Sequence, residues 1–302
     1  MSRLLLWIAF FWLTGPAGSP ATAQETPDWN TARELAPGIR LHQDALTSPR
    51  PIRRHVVRID LQQPGLRFTT TPRLEDWQSN SRETRRQTAR NFMRSERERQ
   101  RPVMLAFNAD AFSPWPVPFD QETETNLQGF AVQDEQLVSL GAGTPSFIRT
   151  KSGTGRMQVT EAATAADDIE VAVSGFAFCL VDGVVQPSGD DLHPRTALGL
   201  SANGRWLVVL VVDGRRHSSE GATTAELGQW LLDLGADDGI NMDGGGSTTL
   251  CWWNPQLPGE DKSELLNRPV GNGLKLLSPI ADQRGASERA NGNNVGVYYQ
   301  SP

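Results

Sequence analysis

From His55 to Leu61 apolar and polar residues alternate, with Val57, Ile59 and Leu61 set against Arg58 and Asp60, the period of a half-buried strand. Between Trp206 and Val212 the pattern becomes an unbroken apolar run rich in β-branched residues, which predicts a central strand ending at Asp213-Gly214-Arg215. A helix follows it. Thr223 and Glu226 have capping-box spacing, Leu227, Trp230, Leu231 and Leu234 recur at i, i+3, i+4 and i+7, and Gly235 fits the stop. Glu226 is therefore read as a cap rather than a catalytic acid. A second helix is predicted over 79–101, with Ala89, Phe92 and Met93 as a narrow apolar stripe and Pro102 as its end. Short strands are expected at 103–107, through 130–185 with a hairpin turn at Asp182-Gly183, at 270–274 and at 295–299. Strands dominate and no regular βα repeat is present. The expected class is α+β: a mixed, strongly curved β-sheet core with a few packed helices.

The two ends of the chain carry less pattern. A short basic start, an apolar run from Leu4 to Leu13 and the small-residue sequence Ala21-Thr22-Ala23 predict a signal peptide over 1–23, cleaved before Gln24. Ten apolar residues are too few to span a bilayer. The expected product is an exported protein, periplasmic or extracellular, with no membrane association after signal removal. Residues 24–51, rich in Pro, Thr and Ala, read as a linker, which leaves 52–302 as one domain.

Net charge is −6, and the basic residues are nearly all arginine. The densest basic stretch, Arg73 to Arg101, sets nine arginines against five acids and reads as a solvated helix face, so no nucleic-acid partner is expected. Cys179 and Cys251 are an even count in an exported chain, which permits a Cys179–Cys251 disulfide, although each is flanked by apolar residues as a buried thiol would be. His42, His55, His193 and His217 are scattered and form no zinc-ligand spacing with the cysteines.

The candidate chemistry lies in Ile240-Asn241-Met242-Asp243-Gly244-Gly245-Gly246-Ser247-Thr248-Thr249. Three consecutive glycines weaken a strand, so such a run suits close backbone approach to a ligand, a nest of N–H groups for an anion, or a bend that lets strands cross. It is not a phosphate-binding P-loop or a dinucleotide fingerprint, since strand rather than helix is expected after it. Its spacing also fails the calcium loop and the nucleophile elbow. If the strands before Asp213 and Asp243 are parallel neighbours joined by the capped helix, the two carboxylates emerge at one sheet edge. Arg195, after His193-Pro194, offers a fork for phosphate or carboxylate, or a surface ion pair. Asn108 and Asp110 follow a buried strand as Asn241 and Asp243 do, where residues of these types also make turns.

Taken in order, Pro194-Arg195-Thr196-Ala197-Leu198-Gly199, Val211-Val212-Asp213-Gly214-Arg215, Gly221 to Leu227, Leu234-Gly235-Ala236-Asp237 and Asn241 to Thr249 closely resemble the phosphodiester glycosidase family. Asn108 to Phe112 and Arg268 to Asn272 resemble its upstream and downstream segments, so the likeness covers roughly 100–275. The loops 113–126 and 252–264 and the tail after Leu277 match nothing in that pattern. The resemblance implies hydrolysis of a sugar-1-phosphodiester at the anomeric carbon, releasing sugar and a phosphomonoester. It implies Asp243 and Asp213 as the carboxylates that activate water or attack and that stabilise the transition state, and Arg195 as a charge stabiliser. Asn108, Asp110, Thr196, Arg215, Asn241, Gly244, Gly245, Gly246, Ser247, Thr248 and Asn272 would contact a sugar-phosphodiester or polysaccharide substrate, with no metal and no cofactor. Two other readings keep the same pocket: a metal-dependent phosphodiesterase breaking P–O, with Asp110, Asp213 and Asp243 as ligands, and a non-catalytic polysaccharide-binding or envelope exopolysaccharide assembly protein.

Overall fold

The computed structural model describes residues 27–78, 81–114, 122–141, 143–161, 164–271 and 286–300. The expected signal peptide and Asn272 lie outside these residues. An eight-stranded sheet runs in the order 33–36, 39–46, 52–60, 206–212, 195–200, 238–241, 177–181, 184–185. One five-stranded sheet is ordered 136–140, 130–133, 169–174, 145–150, 155–159, and the other 263–265, 250–253, 105–108, 294–299, 66–70. A small three-stranded sheet joins 84–85, 124–127 and 112–113. Every paired strand among the described residues is antiparallel, and the sheets are open. Strands far outweigh the two α-helices, Ala89–Glu98 and Thr224–Asp233, so the expected mixed sheet is replaced by antiparallel ones.

The unbroken run Trp206–Val212 is explained by burial on both faces. Leu207, Val209 and Val211 point into the main core, with Val57, Ile59, Leu105, Phe107, Leu250, Val295 and Val171 from all three large sheets. Val208, Leu210 and Val212 face the other way, where Leu227, Trp230 and Leu231 of helix Thr224–Asp233 cover them. That helix starts with the expected box: the Thr223 hydroxyl accepts from the Glu226 amide, and the Glu226 carboxylate accepts from the Thr223 amide. Helix Ala89–Glu98 is shorter than expected because Thr88 caps it, accepting from the Asn91 amide, while Thr84–Arg85 upstream pairs as strand. The supposed linker is partly sheet: Arg33–Ala36 and Ile39–Leu46 form the edge hairpin, where buried Ile39 and Leu41 alternate with polar neighbours.

Strand Arg195–Leu200 lies between Trp206–Val212 and Asp238–Asn241, antiparallel to both. The two Asp-bearing strands are thus codirectional but not adjacent, which corrects the expected parallel pair. The inserted strand brings Arg195 to the same sheet end as Asp213 and Asp243. Cys179 and Cys251 are both buried free thiols, placed in different apolar clusters on opposite sides of the main core, so the permitted disulfide does not form.

Candidate active site

At this sheet end the backbone after Asn241 leaves the strand, and Gly245–Ser247 makes one 3-10 turn before strand Leu250–Trp253 begins. Each of the three glycines has a steric reason. A Cβ on Gly244 would meet the Pro194 carbonyl oxygen at 2.9 Å, and one on Gly246 would lie 2.1 Å from the Gly271 carbonyl and 2.4 Å from Arg289 Nη2. Gly245 has φ +62 and supports the Arg215 guanidinium, whose Nη2 would be 3.1 Å from an added Cβ. The run is therefore a floor beneath arginines. It is not the open amide nest that its composition suggested: the N–H of Gly244 donates to Asp243 Oδ1 at 2.9 Å, that of Gly245 to Pro194 O at 2.8 Å, and that of Ser247 to Gly244 O at 3.1 Å.

The two strand-end aspartates have opposite surroundings. Asp213 is buried, and both its oxygens are engaged: Oδ1 accepts from the Arg268 amide at 2.9 Å and Asn267 Nδ2 at 3.1 Å, and Oδ2 lies 3.2 Å from His55 Nε2. Gln43 Nε2 donates to Leu266 O and to His55 Nδ1, which leaves His55 Nε2–H as the donor to Asp213. Burial alone would raise the Asp213 pKa, but His55 and the two N–H donors hold it below the ordinary carboxylate range. Asp243 is also buried, yet its Oδ2 has no partner. Burial pushes it up to about 6, against the Ser247 hydroxyl, the Arg289 charge and the Gly244 amide.

Asn108, Asp110 and Thr196 turn out to be staples between sheets. Asn108 Nδ2 donates to Asp243 O at 2.6 Å, and its Oδ1 accepts from Thr196 Oγ1 at 2.7 Å and the Thr249 amide at 3.0 Å. Asp110 accepts from the Ser174 amide at 2.8 Å and Asn293 Nδ2 at 2.7 Å. Burial, opposed by these two donors and reinforced by the Asp243 charge, pushes Asp110 up to about 8. Asn108, Asp110 and Thr196, expected as substrate contacts, thus make these side-chain hydrogen bonds inside the protein, and Asn108 ties to the Asp243 backbone. Asp213, expected to act beside Asp243, has both oxygens facing N–H donors from His55, Asn267 and Arg268. No group of three His, Cys, Asp or Glu able to hold a metal occurs among the described residues.

Arg195, Arg215, Gly244 and Gly245 are partly accessible, and they open the site to solvent. Arg195 donates through Nε to Ala222 O and through Nη2 to Asp191 O. Arg215 Nη2 lies 3.4 Å from His193 Nδ1, and its Nε is buried without a partner. Burial and then the charges of Arg195 and Arg215, opposed by Asp191, lower the His193 pKa. Asn241 Oδ1 and Thr248 Oγ1 are further buried polar atoms without partners, while Ser247 Oγ accepts from Arg289 Nη1 at 3.4 Å. Sequence reasoning missed Arg289. It comes from the tail that matched no pattern, and only the fold brings it onto Gly246. A separate polar cleft of about 650 Å³, bounded by Arg67, Arg101, Lys151 and Tyr299, shares no residue with this site.

Comparison with known proteins bears on the fold and the family. No curated protein sequence matches the chain. The fold resembles the catalytic domain of zebrafish N-acetylglucosamine-1-phosphodiester alpha-N-acetylglucosaminidase, auto-inhibited by its pro-peptide, with TM-score 0.58, 18% identity, and coverage of 89% of this chain and 86% of that one. It also resembles a hypothetical protein from Synechocystis (TM-score 0.54, 14% identity, covering 87% of this chain and 62% of that one). A Burkholderia pseudomallei protein described as exported is similar too (TM-score 0.52, 12% identity, coverage 82% and 74%). A family model for phosphodiester glycosidase matches residues 117–281, more than half of the chain and the whole segment from Arg195 through the glycine run. The protein belongs to the phosphodiester glycosidase family.

Proposed function

We propose that the protein hydrolyses sugar-1-phosphodiesters at the anomeric carbon, releasing free sugar and a phosphomonoester. The observation that carries this reading is the buried Asp243 Oδ2, which has no hydrogen-bond partner beside a floor of glycines under arginines. A buried carboxylate oxygen without a partner costs roughly 1–3 kcal/mol or more, a cost that a bound substrate or water relieves. The phosphate sits over the glycine run and is held by Arg195, Arg215 and Arg289. Asp243 Oδ2 faces the anomeric carbon and supplies an electron pair there, directly or by taking a proton from water. The C–O bond breaks, its electrons leave on the phosphate oxygen, and the water oxygen ends on the sugar.

A phosphomonoester leaves without protonation, so the site needs positive charge more than a general acid. Asp213 holds the strand ends together and does not touch substrate. Asn241 Oδ1 and Thr248 Oγ1 take sugar hydroxyls. The enzyme acts outside the cytoplasm after loss of residues 1–23, a reading supported by the n-region, apolar run and Ala-x-Ala site.

Hydrolysis of a panel of sugar-1-phosphodiesters in ¹⁸O-water tests the chemistry. Label is expected in the released sugar. Label found only in the phosphate would mean P–O cleavage and would sink this reading, and binding without turnover across the panel would favour a non-catalytic role.

A further inference from the structure

Among the described residues Leu140, Val159, Phe176 and Val184 are large apolar side chains that stand exposed. A singly exposed apolar residue is ordinary on a protein surface. Phe176 differs in its place and its support. It is the aromatic one, 53% exposed, and it stands at the sheet end that carries Arg195 and Asn241. Its amide donates to Asn241 O at 2.9 Å. The two residues before it are held as firmly: the Ser174 amide donates to Asp110 Oδ1 at 2.8 Å, and the Gly175 amide to Pro145 O at 2.9 Å. A Cβ on Gly175 would lie 2.3 Å from Ile240 Cγ2 and 2.5 Å from Asn241 O, so a residue without a side chain lets this segment press against the strand of Asn241. Three engaged amides in a row thus fix the backbone that presents an exposed aromatic ring.

Across this sheet end the strands run in the order Trp206–Val212, Arg195–Leu200, Asp238–Asn241, Ala177–Val181. Charged and apolar groups are divided along that order. Arg195 stands on one side of Asn241, with Arg215 over Gly245, and Phe176 stands on the other. The strands of Arg195 and Phe176 are two spacings apart, about 10 Å, which is the reach of a hexose joined to its phosphate. On the strand between them, and just past its end, are the buried and unpartnered Asn241 Oδ1 and Asp243 Oδ2. A pyranose carries hydroxyls around its rim and C–H bonds on its faces, and the negative face of an aromatic ring attracts such C–H groups. Small-molecule sites combine apolar walls of this kind with a few polar groups that fix orientation. We infer that Phe176 is the platform for the sugar: with the phosphate on the Arg195 side and a hydroxyl donating to Asn241 Oδ1, the C–H face of the ring rests on Phe176. Phe176 then determines affinity for the sugar and not for the phosphate. The inference deepens the proposed function and rests on it for the direction in which the substrate lies.

Calorimetric titration at pH 7.5 tests it without turnover at the anomeric carbon. The probes are methyl esters of glucosyl-, galactosyl-, mannosyl- and N-acetylglucosaminyl-methylphosphonate, in which a CH2 group replaces the anomeric oxygen, and dimethyl phosphate as the sugar-free monoanion. At least one sugar probe should bind the parent more tightly than dimethyl phosphate. Phe176→Ala should weaken that probe about tenfold and leave dimethyl phosphate within about twofold, with the melting temperature unchanged because the side chain is exposed. Phe176→Tyr should keep most of the affinity, and Phe176→Leu, apolar but not flat, should not. No preference for any sugar probe overturns the inference, as does a sugar affinity that survives in both Phe176→Ala and Phe176→Leu. An equal loss for sugar probe and dimethyl phosphate overturns it too, since that is a disturbed backbone and not a lost platform. A protein that cleaves P–O, or turns nothing over, can still show the Phe176 effect, and a true glycosidase can lack it, so the two readings fail separately.

Discussion

Asp213 and Asp243 occupy equivalent places, each just past the end of a codirectional strand in the same sheet, and yet their surroundings are opposite. Asp213 is saturated by N–H donors, and its carboxyl is held low. Asp243 is equally buried but keeps one oxygen unpartnered, and its carboxyl is pushed up to about 6. One satisfied carboxylate locks a structure. The other stores an unmet interaction that a ligand or reaction can use. The difference arises from their neighbours: Asp213 meets strand Ile52–Asp60 and the Asn267-Arg268 turn, whereas Asp243 turns away into the glycine floor.

The sharpest way to break this comparison is a matched pair of amides. Asp243→Asn should lower kcat about a thousandfold or more, read as released reducing sugar, with the melting temperature unchanged or raised, because a buried carboxyl has been replaced by a neutral group. Full activity in that variant would remove Asp243 from the chemistry. Asp213→Asn should instead cost about 3 kcal/mol of stability by leaving His55 and its neighbours without their acceptor charge, while kcat per folded molecule stays within about tenfold. The sign of its pH dependence follows from its lowered pKa: the stabilisation is present above the ordinary carboxylate range and is lost as pH falls through the folded value. In denaturant titrations at successive pH values, the stability gap between the parent and Asp213→Asn should therefore shrink as pH falls through that folded value.

Acid inactivation discriminates more finely. If Asp243 acts ionised, kcat/KM should rise about tenfold per pH unit up to about 6 and level off above it, in Asp213→Asn as in the parent. A limb lying below pH 4 would point to Asp213. The smallest effect concerns the floor itself. Gly245→Ala imposes a left-handed residue with a side chain, about 1–2 kcal/mol, and presses on Arg215. Stability should fall by that amount, and KM should rise several-fold more than kcat falls.

Much of this was legible in the chain. The capping box of Thr223 and Glu226, the doubly buried run Trp206–Val212 and the break of the strand at the glycines depend on local spacing, which a linear pattern records directly. Strand insertion was not legible. Nothing near residue 195 says that its strand lies between those of 206–212 and 238–241, because antiparallel partners are chosen by packing over long separations. Weak alternation hid the edge hairpin Arg33–Leu46 for a similar reason, since only Ile39 and Leu41 are fully buried there, while Leu35, Ala36 and Leu46 are partly buried.

By itself, then, the sequence determined which segments carry helix, central strand and glycine run, and which residue types collect around them. Tertiary structure alone decided what each polar side chain does. It committed Asn108, Asp110, Thr196 and Asp213 to internal partners, left Asp243 Oδ2 without one, and carried Arg289 from an unpatterned tail onto Gly246. The physical reason is that a polar group's chemistry depends on whether its hydrogen bonds are already made, and those bonds join residues far apart in sequence, 183 positions in the case of Asp110 and Asn293.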